Sequence, residues 1–258
     1  MKSIELFITL GLAATVSVSS TVIAEANEQL ITDQESPPNT LLIAQGGEGG
    51  EGGEGGEGGE GGEGGAELSP GEQANADFQD QMTGAELLSE LQSGGYVIYF
   101  RHAQTEKDYA DQVTADVNNC STQRVLSEVG LQQALTIGEG FRTSEIPIGT
   151  ITSSEYCRAW ATAALAFGEY EKDPALNFLP FEDYTDAQVE QMKANVTPLL
   201  TATPASGTNN VIVGHDDIFE SATGIYPDPQ GIAYVVKPDG NGSFEVIANM
   251  LPEEWGQL

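Results

Sequence analysis

From residue 83 onward the chain alternates between two hydrophobic patterns. Short, nearly continuous apolar runs at 96–100, 148–152 and 211–213 have the pattern of strands buried on both faces. Between them lie stretches whose apolar positions recur at helical spacing. Thr83 is placed to cap a helix through Leu91, with Leu87, Leu88 and Leu91 on one face and Gly94-Gly95 as the stop. Ser127 opens a helix to about Phe141, and further helices are predicted over 155–167 and 186–200, with a weaker strand at 176–179. The segments 231–237 and 244–249 flank Pro238-Asp239-Gly240-Asn241-Gly242, a hairpin signal. Residues 104–125 are polar, irregular and too long to be a mere connection. The predicted fold class is α/β: a three-layer α/β/α sandwich with a mostly parallel sheet and an antiparallel edge, over residues 84–258.

What precedes that domain differs in kind. Lys2 followed by the apolar stretch Ile4–Val18 and Val22-Ile23-Ala24 predicts an export signal over 1–24, cleaved after Ala24. The run is too short and too interrupted by Ser, Thr and Gly for a membrane span, which takes ~20 predominantly apolar residues. Residues 25–83 contain a strict Gly-Gly-Glu repeat with glutamates from Glu48 to Glu63 at every third position. Glycine maximises backbone entropy and the glutamates repel one another, so a disordered acidic linker is predicted throughout 25–83. The expected localisation is outside the cytoplasm, periplasmic or extracellular.

Net charge is −31 over 258 residues. The linker region 25–83 carries fourteen acids and no base, and the domain over 84–258 still carries 25 acids against eight bases. Such a field repels nucleic acid and anionic lipid, so neither is an expected partner, and no membrane contact is expected beyond the export signal. An anion site here has to be a small local pocket. With two cysteines, Cys120 and Cys157, and two histidines, no metal centre and no other cofactor is predicted. In an oxidising compartment the cysteines favour a disulfide over two thiols.

Both histidines stand where an apolar run ends: Tyr96-Val97-Ile98-Tyr99-Phe100-Arg101-His102 and Val211-Ile212-Val213-Gly214-His215-Asp216. Open α/β sheets build ligand sites at such strand ends. Arginine is scarce, with four residues, and one is adjacent to the first histidine. The residue types suit a phosphomonoester: planar guanidinium donors for the oxygens, imidazole as nucleophile and a carboxyl to protonate the leaving oxygen. The blander alternatives are strand-end histidines that merely satisfy their hydrogen bonds and arginines in surface ion pairs.

Tyr99-Phe100-Arg101-His102-Ala103-Gln104-Thr105 resembles the strand-borne Arg-His-Gly/Ala-x-Thr signature of the histidine phosphatase superfamily, the phosphoglycerate-mutase-like fold. Residues 123–134 resemble the helix that follows it, 153–163 the second arginine segment, and Val213-Gly214-His215-Asp216-Asp217 the second histidine, all in the family's order. The resemblance implies His102 as nucleophile, with Arg101, Arg158 and His215 binding the phosphoryl group. Arg124 either reaches the substrate from the long loop or pairs with a carboxylate. Asp216 is the first choice of general acid, with Asp217, Glu182 and Glu106 as rivals. Ala161 departs from the family's common glutamate, which removes one acid near Arg158. A Cys120–Cys157 bond would pin the loop carrying Arg124 against the helix carrying Arg158. The expected function is an exported, metal-independent phosphomonoester hydrolase working through phosphohistidine, on a small phosphorylated substrate or a phosphoprotein. The alternative is a catalytically weak phosphate-ester binding module.

Overall fold

A computed structural model describes residues 67–106, 111, 115–179 and 184–258. The export-signal and Gly-Gly-Glu readings therefore lie outside the described residues. Among the described residues six helices and six strands follow in the order α1 (Pro70–Ala76), α2 (Gly84–Ser93), β1 (Val97–Arg101), α3 (Glu128–Thr143), β2 (Ile148–Ser153), α4 (Cys157–Phe167), β3 (Glu171–Lys172), α5 (Asp186–Leu200), β4 (Asn209–Gly214), α6 (Asp216–Thr223), β5 (Ala233–Pro238) and β6 (Phe244–Met250).

The strands form one sheet ordered β3-β2-β4-β1-β5-β6. β3, β2, β4 and β1 run parallel, while β5 and β6 form the antiparallel edge that the Pro238–Gly242 turn predicted. β1 is buried along its whole length, as its unbroken apolar run requires. Its side chains alternate between two cores. Ile98 and Phe100 join Leu91, Phe141, Ala159 and Trp255 under α2, α3 and α4, whereas Val97 and Tyr99 join Met192, Val196, Phe219 and Tyr234 under α5 and α6. That alternation makes the three layers. α3 and α4 approach closely because Gly138 has no side chain: a Cβ there would lie 2.0 Å from the Ala166 carbonyl oxygen. No described helix is long and apolar enough to cross a membrane.

Two local expectations change. The weak strand at 176–179 is absent; Pro174–Leu176 is a 3-10 turn, and the edge strand is Glu171–Lys172 instead. Pro174 lacks the N–H a ladder needs, and the Asp173 side chain accepts from Ala175 N at 2.8 Å, which winds the chain into a turn. Order also begins earlier than residue 84. Ser69 and Glu72 form a capping box around Pro70, starting α1. The helix then packs on the body: Gly71 O accepts from Tyr226 N at 3.0 Å, Asn75 Nδ2 donates to Asp228 O at 3.0 Å, and Ala74 and Phe78 lie against the second core. Seven residues with few apolar positions leave too faint a periodicity to read.

Candidate active site

The site follows from one pairing. β1 and β4 lie side by side in parallel, with Arg101 opposite Gly214. The residue after each strand is a histidine, so both imidazoles emerge at the carboxyl edge of the sheet, where the strand order reverses. Their ring centroids are 5.4 Å apart, and both side chains are buried. The backbone joins them as well, since His102 N donates to Gly214 O at 3.0 Å. Tyr99 straps the second histidine from below: its hydroxyl accepts from His215 N at 3.0 Å and donates to His215 O at 2.8 Å. Gly214 leaves room for that strap, because a Cβ there would lie 2.2 Å from Tyr99 Oη.

His102 Nδ1 lies 2.9 Å from Ala103 O, a carbonyl that can only accept, so the ring proton sits on Nδ1 and Nε2 keeps its lone pair. Arg158 Nε donates to that Nε2 at 3.1 Å. Burial, then Arg158 and Arg101, push the imidazole well below its usual pKa, so it is neutral at pH 7.

Arg101 lies along the opposite wall. Its Nη1 donates to Pro227 O at 3.0 Å and pairs with Asp228 Oδ1 at 3.1 Å. Its Nη2 pairs with Asp216 Oδ2 at 2.5 Å, and its ring neighbour is Tyr226. The buried Nε has no hydrogen-bond partner among the described residues. A buried, permanently charged N–H left unpaired is costly unless a guest supplies the acceptor.

Arg158 stands in the first turn of α4 with its guanidinium over the rings of Tyr156 and Phe178, at 5.3 and 5.1 Å. Its Nη1 donates to both carboxylate oxygens of Asp111, at 3.0 and 2.9 Å. Thr162 fixes the turn beneath it, donating to Arg158 O at 2.8 Å while accepting from Ala103 N at 3.0 Å. Arg124 comes from the long loop. Its Nε and Nη2 donate to Thr105 Oγ1 at 3.1 and 2.6 Å, and its charge is one of three guanidinium groups depressing His102.

The disulfide joins Cys120 to Cys157, the residue before Arg158, with Cα atoms 5.6 Å apart. Gln123, wholly buried, reinforces the staple: its Oε1 accepts from Cys157 N at 2.8 Å and its Nε2 donates to Asp116 O at 2.7 Å.

The acids separate into two kinds. Asp216 lies at the site but is tied to Arg101, and Tyr226 Oη donates to it at 3.0 Å. Burial alone would raise it; Arg101, His215 and Tyr226 outweigh that and hold the carboxyl below its ordinary range. Such a carboxylate orients a guanidinium and has no proton to give near neutrality. Asp217 goes the other way: burial and the adjacent Asp216 push it up to about 7, with Tyr184 Oη donating to it at 3.0 Å. Glu106 is exposed, and Glu182 lies outside the described residues. Ala161 sits in an apolar cluster with Leu126, Cys157 and Trp160, where a carboxyl would be desolvated. Among the described residues no group of three or more His, Cys, Asp or Glu could hold a metal ion.

The structure thus gathers His102, His215, Arg101, Arg158 and Asp216, with Arg124 at the loop side. The sequence reading missed Tyr99, Ser154, Asn177, Tyr226, Gln123 and Asp111. Ser154 lies within the second arginine segment, a usable signal; Asp111 carries none.

Residues 97–218 match the family model of the histidine phosphatase superfamily (branch 1). That match spans all four segments whose resemblance to the superfamily the sequence displays. Similar solved structures include the protein histidine phosphatase SixA complexed with tungstate, at 15% identity and TM-score 0.44, covering 61% of this chain and 97% of that one. A phosphoserine phosphatase mutant from Entamoeba histolytica in complex with phosphoserine shows 15% identity and TM-score 0.45, covering 60% and 95%. The alpha-ribazole phosphatase from Shigella flexneri shows 16% and 0.45, covering 58% and 94%. No curated protein sequence matches the chain.

Proposed function

We propose that the chain is an exported, metal-independent phosphomonoester hydrolase that works through a phosphohistidine. The carrying observation is the neutral His102, proton on Nδ1 and lone pair on Nε2, set among Arg101, Arg158 and His215. Nε2 attacks phosphorus as the ester P–O bond breaks and the leaving oxygen takes a proton. Water then forms a new P–O bond as the Nε2–P bond breaks. Arg101, Arg158, Arg124 and His215 bind the non-bridging oxygens. Asp216, held ionised, keeps Arg101 in place. Asp217, next to Asp216 in the first turn of α6 and pushed up to about 7, is the carboxyl we assign to proton donation. The substrate class is a small phosphorylated compound or a phosphoprotein.

The test is hydrolysis of p-nitrophenyl phosphate with and without chelator, together with quenched-flow trapping of an acid-labile phosphoenzyme. Chelator-insensitive turnover and a trapped intermediate, both lost in His102→Ala, are expected; turnover that survives this substitution ends the proposal. One observation favours a second reading, the phosphate-binding module: Asp111 already occupies Arg158 Nη1. Saturable vanadate binding without turnover is its signature.

A further inference from the structure

A hydrogen-bond chain runs behind His215 that the chemistry above does not use. His215 Nε2 lies 2.9 Å from Ser154 Oγ. Ser154 Oγ is 2.8 Å from Asn177 Oδ1 and receives Tyr156 N at 3.2 Å. Asn177 is itself fixed: its Oδ1 accepts from the backbone N–H of Glu155 at 3.0 Å, and its Nδ2 donates to Glu155 Oε2 at 2.8 Å.

These contacts leave little freedom for protons. A backbone N–H can only donate, so the amide oxygen of Asn177 must face Glu155 N, and the amide nitrogen must face the carboxylate. Ser154 therefore donates its single proton to Asn177. With that proton used, Ser154 Oγ is an acceptor toward both Tyr156 N and His215. The proton between His215 and Ser154 then belongs to His215 Nε2. The other ring nitrogen, Nδ1, has no hydrogen-bond partner among the described residues.

We propose that Ser154 and Asn177 are positioning residues that hold His215 with its ring proton on Nε2, so that Nδ1 meets the phosphoryl group as a proton acceptor. The two histidines then carry opposite tautomers: His102 is protonated on Nδ1 and His215 on Nε2. The part concerning phosphate rests on the phosphatase reading; the tautomer does not.

An acceptor nitrogen repels a fully ionised phosphate oxygen and welcomes a P–OH. The site therefore takes its guest with one proton more than a dianion brings. Whether that proton is drawn on oxygen or on Nδ1 does not alter the count. The groups facing His215 are Arg158 from α4, Arg101 and His102 from the end of β1, Asp216 beside it, and the rings of Tyr156 and Phe178. Burial comes first, then Arg158, His102 and Arg101 disfavour a second proton, against Asp216 alone, so His215 is neutral at pH 7. A bound anion reverses that balance. For a phosphomonoester with second pKa near 6, kcat/KM should fall about tenfold per pH unit above that value.

The experiment is imidazole nitrogen NMR on the untagged full chain at pH 8, where only two histidine rings contribute. One ring protonated on Nδ1 and one on Nε2 is expected, the latter assigned to His215 by its loss in His215→Asn. Asn177→Ala lets Ser154 donate to His215 and should turn the single tautomer into a mixture; Ser154→Ala should do the same, and Ser154→Thr should restore one form. A merely structural role would lower stability and leave the tautomer unmoved. Calorimetry with inorganic phosphate in two buffers of different ionisation enthalpy should show uptake of about one proton per site at pH 8. A wild-type His215 protonated on Nδ1, or phosphate binding without proton uptake, overturns the proposal. No phosphate binding and no turnover with His215 on Nε2 would instead remove the phosphatase reading and leave the tautomer standing.

Discussion

The two walls of the site are held in different ways. One wall, Arg101, His102 and His215, hangs from the parallel ladder of β1 and β4, where backbone register sets the point at which each side chain leaves the sheet. The other, Asp111, Arg124 and Arg158, meets at the long loop and is held by a disulfide, by Gln123 and by carboxylate contacts. The ladder wall depends on dozens of atoms that no single change removes. The loop wall depends on a few contacts that can be cut one at a time. Damage to the first should therefore appear in chemistry, and damage to the second mainly in binding and loop order.

The sharpest break is His102→Ala. It should lower kcat by about 10⁴-fold or more with the fold intact, as assayed on p-nitrophenyl phosphate alongside circular dichroism. Next is Arg158→Lys, which keeps the charge but loses the fork that serves both His102 and Asp111; a loss of about 10²-fold in kcat/KM is expected. Cutting the staple with Cys120→Ser and Cys157→Ser should cost about 2–4 kcal/mol in denaturant unfolding and raise KM more than it lowers kcat. An equal fall in kcat would mean that the loop wall is as much part of the chemistry as the ladder wall.

The smallest effect is on stability against pH. His102 and His215 have folded pKa values below the ordinary 6.5, so below that pH the unfolded chain binds two protons that the folded chain refuses. Asp217, raised from 3.8 to about 7, acts in the opposite sense: between those values the folded chain holds a proton the unfolded chain releases. From these three groups, stability should fall as the pH drops below 6.5, the two histidines outweighing Asp217. Asp217→Asn removes the opposing group and should steepen that fall in urea unfolding series. An unchanged slope would show that Asp217 is not protonated in the folded protein.

The ladder wall was legible because periodicity and chemistry coincide there. An apolar run long enough to be a central strand ends on Arg101-His102, and a second ends on His215. The loop wall was legible only in part. Cys120 and Cys157 suggested the staple through compartment and proximity to arginines, but nothing in 104–125 marks Asp111 as the partner of Arg158. The choice between the acids is hidden for a related reason. Asp216 adjoins His215 in sequence, yet its ionisation is decided by Arg101 across the sheet and Tyr226 from a later turn. Tertiary neighbours set a pKa, and adjacency in sequence does not display them. α1 escaped because seven residues with a polar face give no clear period, while the Asp173 cap and Pro174 wind a turn that runs into the start of the weak strand predicted at 176–179.

α1 has a practical consequence for anyone cutting the gene. The stretch 226–228 that it grips also supplies Tyr226, the Pro227 carbonyl and Asp228 to Arg101. A truncated form starting at Gly84 would look tidy on a hydropathy plot and yet lack a buttress two contacts away from the guanidinium. Starting at about residue 67 keeps that buttress while discarding the glycine-glutamate tail.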